Sequence, residues 1–133
     1  MQLSAELHAD AVNVPIYQVA GWYDLFLGGT LKHYLAFKTR GGEIVRPKQW
    51  LMIGPWNHGP LTGKPGDVDF GPTSRGNMEA LTVRWFDYIL KDIDNGIGGE
   101  KSVKVFVALR RNLAERAIDG VFSDRGFSID WAV

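Results

Sequence analysis

Along the chain, two continuous apolar blocks flank an amphipathic one, after a weakly patterned start. Over residues 1–13, Leu3 and Leu7 share a helical spacing, but nothing there caps a helix. Val14-Pro15-Ile16-Tyr17-Gln18-Val19-Ala20 is rich in β-branched and aromatic residues, with Pro15 tolerated at its start. It predicts a buried strand that stops at Gly21, and Gly21-Trp22-Tyr23-Asp24 reads as a turn. From Leu27 to Lys38 the period changes. Leu27, Leu31, Tyr34, Leu35 and Lys38 recur at helical spacing until Gly41-Gly42 ends the run. Gln49-Trp50-Leu51-Met52-Ile53 is a second apolar strand, ended by Gly54-Pro55. Strands without polar alternation need cover on both faces, the condition of a parallel sheet. Residues 14–53 therefore predict a β-α-β unit with a right-handed crossover.

Residues 54–76 are rich in glycine and proline and predict a long loop, a length that compact domains keep mainly for function. Asn77 is placed to cap a helix over Met78–Lys91, with Met78, Leu81, Trp85, Tyr88 and Ile89 as its buried stripe. Asp94-Asn95-Gly96 breaks it. Val103, Val105 and Val107 alternate with Lys104 and Phe106, the pattern of a half-exposed strand. Further on, Leu109, Leu113, Ala117 and Val121 return to helical spacing, interrupted by Gly120 and Gly126. The order of elements is that of an α/β fold.

Composition narrows the function classes. The 133 residues suffice for one core, and 15 basic residues balance 15 acidic ones. A chain without net charge has no electrostatic pull toward nucleic acid or an anionic membrane. The absence of cysteine removes disulfides, thiolate metal sites and a thiol nucleophile. His8, His33 and His58 share no metal-ligand spacing, and no cofactor motif is present. Asp92-Ile93-Asp94-Asn95-Gly96 misplaces the glycine of a calcium loop. No apolar run is long enough to span a bilayer. The start of the chain has no basic, apolar leader, so a cytoplasmic location is expected.

Two residues are placed for chemistry. Asp24 follows the first strand, and His58 follows the second in Gly54-Pro55-Trp56-Asn57-His58-Gly59. Ligands of open α/β sheets bind beyond the carboxyl ends of the strands, and adjacent parallel strands lie about 5 Å apart. An acid and an imidazole on such loops can share a hydrogen bond that fixes the imidazole tautomer. A turn-forming Asp and a solvated His are the plainer alternatives. No G-x-S-x-G string occurs. Ser74 and Ser128 both lack the strand-turn-helix setting of a nucleophile. Trp22, Tyr23, Trp56 and Asn57 surround the pair in sequence and are candidates for a substrate pocket, with core packing the first alternative for the three aromatic residues.

The strings Val14-Pro15-Ile16-Tyr17, Gly21-Trp22-Tyr23-Asp24 and Gly54-Pro55-Trp56-Asn57-His58-Gly59 occur in an order that resembles a known family. That family is the serine hydrolases related to Xaa-Pro dipeptidyl-peptidase, cocaine esterase and the α-amino-acid ester hydrolases. Trp85–Lys91, Asp94–Ile97 and Val103–Val107 continue the resemblance, which ends after Val107. The resemblance implies a partial α/β-hydrolase fold, with residues 1–100 from the catalytic domain and 101–133 opening a β-domain. It also implies that Asp24 is the triad acid and His58 the triad base. The family's serine elbow and oxyanion donor precede these strings. The expectation is therefore a cofactor-free fragment of an enzyme cleaving small ester, amide or short peptide substrates, inactive by itself. The alternative is a non-catalytic α/β module that binds a partner. The edge of an incomplete sheet also makes self-association an expectation.

Overall fold

A computed structural model of the chain describes residues 4–107. Strand β1 (Ile16–Tyr23), helix α1 (Leu27–Arg40) and strand β2 (Gln49–Asn57) form the first unit. Helix α2 (Met78–Lys91) and the short strand β3 (Val103–Val105) follow. A kinked 3-10 segment occupies Ala5–Ala11, and single 3-10 turns occupy Pro72–Ser74 and Ile97–Gly99. β1 and β2 are parallel neighbours, from Ile16 opposite Gln49 to Gly21 opposite Gly54. β3 joins the other side of β2, also parallel, with Leu51 opposite Val103. Among the described residues the sheet thus has three strands, in the order β1-β2-β3.

Both faces are covered, as the unbroken apolar strands require. Successive side chains of β2 alternate between them. Leu51 and Ile53 meet Ala20 and Tyr34 on the α1 side, with Leu27, Leu31, Val103 and Val105 packed around. Trp50 turns the other way, onto Trp85 of α2 and Ile97, with Tyr17, Tyr88 and Ile89 at the margin. Trp85 lies edge-on to Tyr17 at 5.5 Å and to Trp50 at 5.1 Å, an arrangement aromatic quadrupoles favour.

The structure corrects the sequence reading at several positions. β1 runs on through Gly21-Trp22-Tyr23, read above as a turn, and β2 runs on through Gly54-Pro55 to Asn57. The reason is an irregularity in the ladder. Gly21 faces Gly54 but Tyr23 faces Asn57, so β2 carries an additional residue over this stretch. Pro55, which has no N–H to donate, stands where the regular pairing lapses. On α1, Leu35 is 59% exposed, and Tyr34 and Phe37 are buried in its place. The helix packs on the Ala5–Ala11 segment as well as on the sheet. On α2, Met78 stands exposed in the first turn. β3 ends at Val105, one alternation short of Val107. The helical spacing from Leu109 to Val121, and Ser128, lie outside the described residues.

Asn77 caps α2 as its sequence position suggests: its Oδ1 accepts the Ala80 N–H at 2.9 Å. Asn77→Ala is expected to cost about 1 kcal/mol, read as a lower urea midpoint with an unchanged slope. The turn after α2 is held by Arg84 and Asn95. Arg84 Nη2 donates to the Asn95 carbonyl at 2.9 Å, and Asn95 Nδ2 donates to the Arg84 carbonyl at 2.7 Å. Glu100 pairs with Arg84 at 2.6 Å and with Lys104 at 2.8 Å. Burial pushes the Glu100 carboxyl up, but these two cations outweigh it and hold the group below the ordinary glutamate value.

Candidate active site

β1 and β2 end side by side, and the residues just beyond them meet. Leaving β1, the chain turns at once: the Asp24 N–H donates to the Gly21 carbonyl at 3.1 Å, and the Leu27 N–H to the Asp24 carbonyl at 3.1 Å. The Asp24 side chain stabilises this turn from within. Its Oδ1 accepts the Phe26 N–H at 2.8 Å, an Asx turn that leads into α1. Oδ2 is left to face the other strand end. There His58 brings Nδ1 to 3.3 Å from Asp24 Oδ2.

Asp24 thus fills both roles that the sequence left open. It forms a turn with one oxygen and meets an imidazole with the other. The Phe26 N–H is the main reason its carboxyl lies below the ordinary aspartate value. Desolvation opposes that shift, and His58 adds to it. The linkage sign follows. A depressed carboxyl contributes stability that is complete above its unfolded value and is lost as pH falls through its lower folded value. The Asp24–His58 contact is therefore expected to survive acidification past the ordinary carboxylate range of about 4. A carboxyl carbon NMR titration of Asp24 checks this, and an Asp24 midpoint at or above the unfolded value would contradict it.

The His58 side chain is 64% exposed, so one ring edge faces Asp24 while much of the ring remains open to solvent. A cavity of about 380 Å³ opens beside the pair. Trp56 and Asn57, two of the sequence candidates, line it together with Gly21, Leu61 and Met78. Trp56 is 1% exposed, and its Nε1 donates to the Ser74 carbonyl at 2.8 Å, pinning the long loop to the end of β2. Trp22 and Tyr23, the other two candidates, line a separate cavity of about 250 Å³ with Pro55, Phe70 and Phe106. Trp22 is fixed there by its Nε1, which donates to the Phe106 carbonyl at 2.8 Å. Ser74 is buried, and its Oγ donates to the Gly71 carbonyl at 2.6 Å, so that hydroxyl is turned to a structural task.

The sequence reading missed Phe26. An Asp that starts an Asx turn engages the N–H two residues on, and that signal was legible. Its ring, which lies 4.9 Å from the His58 ring at 75°, is a long-range contact that local pattern does not announce.

This acid and base, on loops after neighbouring parallel strands, can be compared with known proteins. Residues 2–60 match the profile of the X-Pro dipeptidyl-peptidase (S15 family). The S15 segment spans β1, α1 and β2 and so includes both Asp24 and His58. Its parallel sheet with covering helices is part of an α/β-hydrolase fold. The chain is also similar to cocaine esterase of Rhodococcus sp. (strain MB1 Bresler), at 31% identity over 96 residues. That match covers 70% of this chain and 16% of the esterase. Two mycobacterial proteins, from Mycobacterium bovis and Mycobacterium tuberculosis, are named for an inferred serine esterase activity. Each is 29% identical over 103 residues, covering 72% of this chain and 14% of its own length. The chain thus spans 14–16% of the length of these relatives. Among the described residues, no helix is long and apolar enough to cross a membrane.

Proposed function

We propose that this chain supplies the acid and the base of a serine hydrolase that cleaves ester or amide bonds through an acyl-enzyme. The observation that carries the reading is the Asp24 Oδ2 to His58 Nδ1 contact, with the carboxylate already oriented by the Phe26 N–H. With Nδ1 protonated toward Asp24, Nε2 is the acceptor. It takes the proton of an attacking serine hydroxyl, whose oxygen bonds to the substrate carbonyl carbon. The carboxylate stabilises the imidazolium that forms, and the same proton then passes to the departing alcohol or amine. Water repeats the cycle on the acyl-enzyme and releases the acid and the serine.

The serine and the oxyanion donors belong, in this reading, to another segment of the hydrolase. Residues 1–100 are its share of the catalytic domain, and 101–133 the opening of a β-domain. The substrates are small esters, amides or short peptides, and no cofactor is needed.

The test has two arms. The chain alone, incubated with p-nitrophenyl acetate and a fluorophosphonate probe, should neither turn over by a serine mechanism nor become labelled. Co-expressed with a segment bearing a G-x-S-x-G elbow, it should gain both activity and label, each dependent on His58. Stoichiometric labelling of a serine in the chain alone, abolished by His58→Ala, would place the nucleophile within this chain and overturn the divided triad. Activity in the complex that is indifferent to His58 would favour a non-catalytic module.

A further inference from the structure

We infer that Phe26 is the positioning residue of the His58 base, holding acid and imidazole from one point at the start of α1. This inference deepens the hydrolase reading and takes its meaning from it. Two independent contacts carry it. The main-chain N–H of Phe26 donates to Asp24 Oδ1 at 2.8 Å, which commits that oxygen and leaves Oδ2 for His58. The ring of Phe26 meets the imidazole at a centroid distance of 4.9 Å and an interplanar angle of 75°.

The need for such a restraint follows from the exposure of the base. With a side chain 64% exposed, His58 is gripped at one ring nitrogen, among the described residues by a single hydrogen bond of 3.3 Å. One bond to one nitrogen leaves the ring free to swing about the contact. The aromatic wall limits that swing in the direction the carboxylate does not control. The burial of Phe26 supports the assignment. Phe26 is 55% exposed and belongs to neither core cluster, so stabilising the core does not explain a large apolar ring here. Its place as the residue before α1 explains how one residue does both tasks. The turn that aims its N–H back at Asp24 also sends its ring across the strand end toward His58.

The prediction separates backbone from ring. Every ordinary side chain at position 26 keeps the N–H that orients Asp24, and only an aromatic one restrains the imidazole. The experiment uses the full chain, with His58 observed by proton and nitrogen NMR of its ring. In the parent, the His58 carbon-bound protons should carry a ring-current displacement, and the nitrogen shifts should show the Nδ1–H tautomer in excess. Phe26→Ala should lose the displacement and average the two tautomers, while the amide at position 26 keeps its protection from exchange. Phe26→Tyr should restore both signatures, and Phe26→Leu, which keeps bulk without aromaticity, should restore neither in full.

A His58 tautomer balance unchanged in Phe26→Ala overturns the inference, because the ring-current displacement vanishes with the ring whatever its role. So does recovery by Leu as complete as by Tyr, because bulk alone would then suffice. If Phe26→Ala does not fold, the Tyr and Leu variants still decide. The result is also separable from the hydrolase reading. An unchanged tautomer balance removes the role of Phe26 and leaves the triad standing. Activity indifferent to His58 removes the triad and leaves the ring restraint in place.

Discussion

Asp24→Asn in the hydrolase reassembled with its serine segment should lower kcat by about 10⁴, the scale known for a triad acid converted to its amide. The substitution is chosen because it leaves the architecture alone. Asparagine keeps an Oδ1 that can accept the Phe26 N–H, so the turn after β1 and the start of α1 survive. What is lost is the negative charge on the second oxygen. Without it, the imidazolium is no longer stabilised and the tautomer with its proton on Nδ1 is no longer favoured. Asp24→Ala removes the Asx turn as well. It should therefore lower the urea midpoint of the isolated chain, where Asp24→Asn leaves it nearly unchanged. Chemical denaturation of both variants, paired with single-turnover kinetics in the complex, separates the two functions of one carboxylate. If both variants were as active and as stable as the parent, Asp24 would be neither acid nor turn. His58→Ala should be at least as damaging to kcat as Asp24→Asn, since it removes the group that moves the proton.

Gly21→Ala should be the most disruptive single-methyl change near the site. A Cβ placed there would lie 2.0 Å from the Trp56 carbonyl oxygen and 2.6 Å from its carbonyl carbon. Both are backbone atoms of the neighbouring strand, so no rotamer change relieves the clash. β1 and β2 would have to separate where their ladder is already irregular. Overpacking of this kind should cost about 3 kcal/mol, or roughly 10–25 °C in Tm for a domain of this size. The same displacement would move Asp24 away from His58, so any residual folded population should also lose the Asp24–His58 contact. Thermal unfolding measures the first effect and the His58 ring shifts the second. A Gly21→Ala chain that melts with the parent would show that the strands have slack here.

The sequence made much of this legible, for physical reasons that differ by element. Val14–Ala20 and Gln49–Ile53 stood out because a strand covered on both faces cannot afford polar alternation. α2 was read to its ends because Asn77 caps it; the Asp94-Asn95-Gly96 signal lies just beyond the true stop, where Asp92 takes the left-handed conformation. The ends of β1 and β2 were misread because Gly54-Pro55 locally signals a stop. Only the tertiary register shift shows that a proline fits there. Spacing gave the period of α1 but not its rotation: of the residues it marked, Tyr34 is buried and Leu35 exposed, and Phe37 is buried without having been marked. At the site, Asp24 and His58 were identified by their places after two parallel strands. The division of Trp56 and Asn57 from Trp22 and Tyr23 between two cavities depends on how the loops fold back, and no spacing encodes that.

β1 is an outermost strand, and the Ile16 N–H is given to the Lys48 carbonyl on the β2 side. By the alternation of a parallel ladder, Tyr17 and Val19 turn theirs outward. Beside that rim, α2 shows Val83, Phe86 and Leu90 to solvent at helical spacing. To the machinery of a cell, an unsealed strand next to an apolar stripe is the mark of a job half done. Chaperones and proteases recognise such surfaces, so covering that rim is expected to lengthen the lifetime of the chain.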